Sequence, residues 1–100
     1  MKVSLIQMNS ISDKAANIAA AEALIERAVS EEGPDWVLLP EQFDWAGGSR
    51  AEKLAAAERL PGGSAYEMAR GQAIKHRIFV HAGSILEAID GEEQIGRAHV

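Results

Sequence analysis

Short apolar runs alternate with longer stretches of helical character along the chain, and this alternation limits the folds that the chain can adopt. Four runs have the length and the branched residues of buried strands, at 3–8, 35–39, 78–82 and 85–89. Helical spacing and helix-favouring composition predict three helices, at about 14–31, 50–59 and 64–76. The order βαβααβ, followed by the start of a hairpin, predicts an α/β fold with a mixed sheet and right-handed crossovers.

Residues at the predicted element ends specify how the elements begin and turn. Ser12 or Asp13 is suited to cap the first helix. Ser64 with Glu67 three residues later predicts a capping box at the start of the third helix. Asp90-Gly91 predicts a tight hairpin turn after the fourth strand.

Composition and charge exclude several classes of function. The net charge of −5 argues against a nucleic-acid partner and against an anionic membrane surface. The 100 residues contain no cysteine, which excludes a disulfide framework, a cysteine metal site and a cysteine nucleophile within them. His81 lacks a second ligand at metal spacing, so a core histidine is favoured over a metal ligand, and we expect no metal site. The chain lacks a signal-like start and a long apolar run, so we expect a cytoplasmic protein that does not enter the membrane.

The loop after the second strand is the candidate site. Ligands of an open α/β sheet bind outside the carboxyl ends of its strands, and there the chain reads Leu39-Pro40-Glu41-Gln42-Phe43. Pro40 restricts its neighbours and so fixes the direction in which Glu41 projects. Residue types alone leave open whether Glu41 is a catalytic carboxylate or a solvated loop residue. Phe43 and Trp45 are candidates for lining a substrate mouth, and Asp44 is expected to be solvated.

Four ordered motifs resemble the carbon–nitrogen hydrolase family, the nitrilase superfamily, over about residues 2–93. They are Lys2-Val3-Ser4-Leu5-Ile6-Gln7-Met8, Ser12-Asp13-Lys14 with Asn17, Leu38-Leu39-Pro40-Glu41, and Val80-His81-Ala82-Gly83-Ser84. The resemblance implies the first part of a sandwich of two mixed sheets between outer helix layers, with helices on one face of this sheet. Asn17 is expected to make a structural hydrogen bond.

The resemblance also implies a Glu–Lys–Cys triad in which Glu41 is the general base. The family's lysine and cysteine come later in the domain, and Lys53 and Lys75 do not occupy the lysine's motif. The implied substrate is a small carboxylic-acid amide, without a cofactor, and the parent protein is expected to be a homo-oligomer. The motifs around Asp13 and Glu41 are most similar to the branch that hydrolyses deaminated glutathione and related ω-amides. The alternatives are a non-catalytic α/β binding or regulatory domain, such as a receiver-like module, and a fragment with an interaction role.

The last six residues differ from the family pattern. Ile95-Gly96-Arg97-Ala98-His99-Val100 is what ATC GGA AGA GCA CAC GTC encodes, a string that looks like a sequencing-library adapter. We therefore divide the chain into a partial carbon–nitrogen hydrolase domain at 1–94 and a non-native tail at 95–100. The isolated chain is expected to be inactive and either poorly soluble or molten, because an uncovered apolar face and an open sheet edge favour aggregation.

Overall fold

A computed structural model describes residues 1–89 and 95–100, which form three helices and five strands. In chain order these elements are β1 (Val3–Leu5), α1 (Lys14–Glu32), β2 (Trp36–Leu38), α2 (Arg50–Ala56), α3 (Ser64–His76), β3 (Phe79–His81), β4 (Ser84–Ala88) and β5 (Ile95–His99). The predicted order of strands and helices is confirmed, and each predicted strand is longer than the strand that forms, except β4, which is shifted by one residue. Each helix within the described ranges lacks the combination of length and apolarity that a membrane crossing needs.

The first three strands form a parallel sheet in the order β1-β2-β3. Val3, Trp36 and Phe79 lie in register, and so do Ser4, Val37 and Val80 one position further on. Because side chains alternate between the two faces of a strand, these two rows face opposite ways. Val37 is fully buried and belongs to the core with residues of α1 and α3, so the helices cover the face of the second row.

Small side chains allow α1 and α3 to pack closely over this face. Ala21 on α1 and Ala65 and Ala69 on α3 are buried in the same cluster, with Ile25 filling the space beside them. Gly33 ends α1 in a left-handed conformation, and its N–H donates to the carbonyl of Val29. A left-handed residue at this position satisfies a carbonyl that the helix end would otherwise leave unpaired.

The opposite face of the parallel sheet is apolar and uncovered in this chain. Leu5 is 74% exposed and Phe79 is 68% exposed. The ring of Phe79 contacts Trp36 with a centroid separation of 6.2 Å. Phe79 therefore lies outside the core of this chain, because the helices lie on the other side of the sheet.

The last two strands form a separate antiparallel sheet in which β4 pairs with β5, from Ser84 opposite His99 to Ala88 opposite Ile95. The hairpin turn predicted at Asp90-Gly91 lies outside the described residues. Antiparallel pairing uses backbone groups that every sequence carries. The pairing of β5 therefore does not test the non-native origin of residues 95–100, and that assignment stays a prediction.

The helix starts differ from those predicted. Asp13 caps α1, with its carboxylate accepting the N–H of Ala16 at 3.1 Å. The capping box predicted for α3 is wrong: Gly63 stands at its N-cap and supplies no side-chain bond. A capping box forms instead at α2, between Ser49 and Glu52.

Candidate active site

Glu41 lies at the carboxyl edge of the parallel sheet. β2 ends at Leu38, and the N–H of the next residue, Leu39, still donates to the carbonyl of His81 at 2.9 Å. Pro40 then interrupts the ladder, because it has no N–H to donate. The side chain of Glu41 is exposed. A cleft at the same edge is lined by Pro40 and by the segment after β1, at 6–9.

The backbone beside Glu41 adopts a conformation that side-chain-bearing residues seldom take. Gln42 has a φ of 58°, and its N–H donates to the Ser84 hydroxyl at 2.8 Å. Gly83, at a φ of 63°, packs against the Pro40 carbonyl so closely that a Cβ there would overlap it. Strained residues persist where surrounding contacts over-determine them, and such positions cluster at functional sites.

Asp44 is fully buried, so the prediction of a solvated loop residue is wrong. Its Oδ2 accepts the N–H of Leu86 at 3.0 Å and the ammonium of Lys14 at 3.3 Å. A buried carboxylate requires such donors to offset the loss of water. Asp44 thereby ties the loop that follows Glu41 to both α1 and β4.

Asn17 connects the same loop to the segment before α1, which confirms its predicted structural role. Its amide nitrogen donates to the carbonyls of Asp44 at 2.8 Å and Ile11 at 2.7 Å, and its oxygen accepts the N–H of Ile11 at 3.0 Å. The Ser10 hydroxyl adds a bond of 2.7 Å to the Phe43 carbonyl. The residues after Glu41 are therefore held by side chains from two sides.

Both aromatic residues of the loop point inward. Phe43 is fully buried in the core cluster. Trp45 is 6% exposed, and its indole N–H donates to the carbonyl of Gly47 at 2.9 Å. In this chain the two rings pack inside the protein and support the loop. Their role in lining a substrate mouth stays a prediction.

Lys75 lies on the surface of the helix layer. Its ammonium donates to Glu26 at 2.7 Å and thereby links α3 to α1. This hydrogen bond lowers the pKa of Glu26 and raises the pKa of Lys75. Lys75 therefore has a structural partner, consistent with the inference that it does not stand in for the family's lysine.

Sequence reasoning missed one residue of this region, Glu58, which falls within the helix predicted at 50–59 but lies beyond the end of α2. Its side chain is buried, and its two oxygens accept the N–H groups of Ala65 at 3.2 Å and Tyr66 at 3.0 Å, at the start of α3. Glu58 thus performs the capping predicted for Ser64. The sequence carries one signal for this role, the turn at 61–63 that leads into a helix with glycine at its N-cap. Such a helix start has no side-chain acceptor of its own and needs one from elsewhere in the chain.

Across the described ranges, His, Asp and Glu side chains do not form a group of three that would hold a metal ion. The expectation that the protein needs neither a metal nor a cofactor stays a prediction.

The fold and the site together define a class: an α/β domain that presents a carboxylate at the carboxyl edge of a parallel sheet covered by helices on one face. The carbon-nitrogen hydrolase family model matches residues 2–100. The chain belongs to this family.

Two solved structures and one curated relative are similar to the chain. Nit3 of Saccharomyces cerevisiae, a member of branch 10 of the nitrilase superfamily, has a TM-score of 0.82 and 28% identity over 99% of this chain. The NitFhit protein of C. elegans has a TM-score of 0.70 and 27% identity over 97% of this chain. The nitrilase and fragile histidine triad fusion protein NitFhit of Drosophila melanogaster is 35% identical over 94 residues, which are 94% of this chain.

The match covers a minor part of each of these proteins. The chain spans 38% of the Nit3 chain, 27% of the C. elegans NitFhit chain and 20% of the Drosophila protein. The similarity therefore establishes the family and the fold of this segment.

Proposed function

We propose that this chain supplies the general base of an amidase that hydrolyses a non-peptide C–N bond in a small carboxylic-acid amide. The observation that carries the proposal is the placement of Glu41. Its carboxylate follows Pro40 at the carboxyl edge of the sheet, and the next residue, Gln42, is fixed by Ser84. The family resemblance assigns the general-base role to the glutamate at this position.

In the proposed reaction the base takes the proton of a cysteine thiol, and the thiolate attacks the amide carbon. The protonated base returns the proton to the nitrogen as the C–N bond breaks, so that ammonia or an amine leaves and an acyl-enzyme thioester remains. Water then hydrolyses the thioester to the carboxylic acid and the free thiol. A lysine stabilises the tetrahedral oxyanion. The 100 residues contain no cysteine, so the nucleophile must come from outside them.

The finer assignment within the family is to the branch that acts on deaminated glutathione and related ω-amides. Its support is the resemblance of the segments around Asp13 and Glu41. Assembly into homo-oligomers belongs to the same proposal. The alternative of a receiver-like regulatory domain finds no support, because the segment after β1 carries Asn9, Ser10 and Ile11 rather than acidic residues.

The proposal is tested in a chimera in which residues 2–94 replace the matching segment of yeast Nit3, which supplies the lysine and the cysteine that the family resemblance implies. The chimera should release ammonia from ω-amides. Glu41→Gln should lower kcat by about 10² to 10⁴-fold, because that is the usual contribution of a positioned general base. Alkylation of the nucleophilic cysteine can be followed across pH by mass spectrometry. At neutral pH it should be slower in Glu41→Gln than in the parent chimera, and this readout does not depend on the choice of substrate.

The matched control is Glu31→Gln, which removes an exposed carboxylate paired with Arg27 on the surface of α1. It should leave turnover and alkylation unchanged. If Glu41→Gln retained both rates within a few-fold of the parent chimera, Glu41 would not be the base.

A further inference from the structure

Lys14 holds an ammonium group between two buried carboxylates. Its side chain is 15% exposed, whereas the carboxylates of Asp44 and Glu58 have almost no exposed surface. The Nζ atom lies 3.3 Å from Asp44 Oδ2 and 2.5 Å from Glu58 Oε2, and it donates to the carbonyl of Ala56 at 2.7 Å. We call Lys14, Asp44 and Glu58 the buried ionic triad.

Each carboxylate of the buried ionic triad also organises backbone. Asp44 stands three residues after Glu41 and accepts the N–H of Leu86 on β4. Glu58 accepts two N–H groups at the start of α3, and its own backbone bonds to β4 through Leu86 and Ala88. Lys14 is the first residue of α1. The buried ionic triad therefore joins α1, α3 and β4 at the loop that carries Glu41.

The junction depends on Lys14 because the ammonium group lies between the carboxylates of Asp44 and Glu58. Two carboxylates that share one site repel each other, and burial strengthens the repulsion because the local dielectric constant is low. Removing one partner of a buried ion pair leaves a charge without compensation. Without the ammonium, the carboxylates must bind a proton, separate or reach water. Glu58 retains two N–H donors from α3 and Asp44 retains the N–H of Leu86, so separation of the two carboxylates moves the loop that carries Asp44.

We propose that Lys14 is a positioning residue for Glu41, acting through Asp44 to hold the loop at 41–46 in the geometry that its chemistry needs. The proposal rests on the function proposed above for Glu41.

The test measures amide hydrogen exchange, residue by residue, in the chimera of residues 2–94 with yeast Nit3 described above, because the isolated chain is expected to self-associate. Three amides report on the loop, because each has a bond that the loop's position maintains: Gln42 to Ser84, Ala46 to Ile11, and Leu86 to Asp44. In Lys14→Met these amides should exchange about tenfold faster or more, since the loop opens locally. Amides in the middle of α1 and α3 should keep their wild-type rates.

The matched control is Lys75→Met, which removes another lysine that links two elements through a carboxylate. Lys75 is largely exposed and binds Glu26 away from the loop. It should leave the exchange of Gln42, Ala46 and Leu86 unchanged. Wild-type exchange of these amides in Lys14→Met would overturn the proposal. An equal acceleration of all amides would also overturn it, because Lys14 would then act on global stability alone.

A second variant covers the outcome in which Lys14→Met does not fold. The combination Lys14→Met, Asp44→Asn and Glu58→Gln removes the buried charges together and retains hydrogen-bonding groups. The proposal expects the three loop amides still to exchange faster than in the wild type, because no ammonium joins the segments. Protection equal to that of the wild type would overturn it.

The exchange readout separates this proposal from the proposed function. If the loop opens in Lys14→Met while Glu41→Gln leaves the chimera active, the positioning of the loop stands and the general-base role fails. If the loop opens in Lys14→Met and Glu41→Gln also inactivates the chimera, both proposals stand. Lys14→Met in the chimera should then lower kcat with little change in KM, because Lys14 acts on the base rather than on substrate binding.

Discussion

Gly83 contributes to the site by having no side chain. Its φ of 63° is a conformation that other residues adopt at a cost, and the Pro40 carbonyl occupies the place where a Cβ would stand. Gly47 shares the sign of φ, at 78°, but has open space around it. The two glycines therefore separate the cost of the backbone conformation from the cost of the close approach.

Gly83→Ala should lower the free energy of unfolding by about 2–4 kcal/mol, since it adds steric overlap to the strained backbone. Gly47→Ala should cost about 1 kcal/mol, from the backbone alone. Urea denaturation measures both, at protein concentrations where the transition does not depend on concentration. Equal losses in the two variants would show that the Pro40 carbonyl moves aside at no cost.

At the scale of elements, α1 and α3 are joined at their surface by Glu26 and Lys75. The bond between them lowers the pKa of Glu26 from its ordinary value of 4.5 and raises the pKa of Lys75 from 10.5. The Glu26 contribution is therefore present above pH 4.5 and is lost as the pH falls through the lowered pKa. The Lys75 contribution is present below pH 10.5 and is lost as the pH rises through the raised pKa. His76 also approaches Glu26, at 3.3 Å, and Glu22 faces Lys75.

A double-mutant cycle with Glu26→Gln and Lys75→Met should show a small favourable coupling at pH 8. The coupling should be lost as the pH falls through the lowered pKa of Glu26. It should also shrink at high salt, because both side chains are exposed. Urea midpoints for the four proteins measure it. A coupling that persisted unchanged at low pH would assign the contact to packing instead of charge.

Sequence reasoning predicted the elements better than the contacts between them. The order of strands and helices follows from local periodicity and composition, and the ends of α1 follow from Asp13 and Gly33, which act on their own helix. The capping of α3 and the burial of Asp44 depend on partners 7 to 42 positions away, namely Glu58 and Leu86. Spacing along the chain carries no signal for such partners.

For the candidate site, the sequence could indicate where Glu41 lies, because strand ends and Pro40 are local features. It could not indicate the geometry that holds Glu41. The left-handed conformation of Gln42 requires Ser84, and the close approach at Pro40 requires Gly83. Gly83 lies in the connection between β3 and β4, and Ser84 begins β4, so both partners come into place only when these strands have formed.

At the scale of the whole molecule, the uncovered sheet face is the main difference between this chain and a domain whose apolar sheet faces are both covered. Leu5 and Phe79 are mostly exposed there, and β1 is an edge of the sheet. Exposed apolar patches and open strand edges both favour association between chains. The family fold expected from the sequence covers this face with a second sheet.

The 100-residue chain should therefore self-associate at micromolar concentrations, and Leu5→Thr with Phe79→Thr should reduce the association without loss of helical circular dichroism. Ile74→Gln is the matched control, because Ile74 is an exposed apolar residue on α3, away from the sheet face. Sedimentation velocity measures all three proteins. A wild-type chain that stayed monomeric, or equal relief by Ile74→Gln, would contradict this account.

The dependence of α3 on Glu58 has a consequence for how the chain folds. α3 is 13 residues long, contains Gly71, and begins at a glycine that supplies no side-chain cap. A helix of this length and composition is marginal on its own, because nucleation is unfavourable. Its acceptor is the carboxylate of Glu58, which pairs with Lys14, and the backbone of Glu58 bonds to β4. Both partners of Glu58 are distant in sequence. We therefore expect the formation of α3 to be coupled to long-range chain closure, so that this helix becomes persistent late, in the same cooperative step that assembles the site.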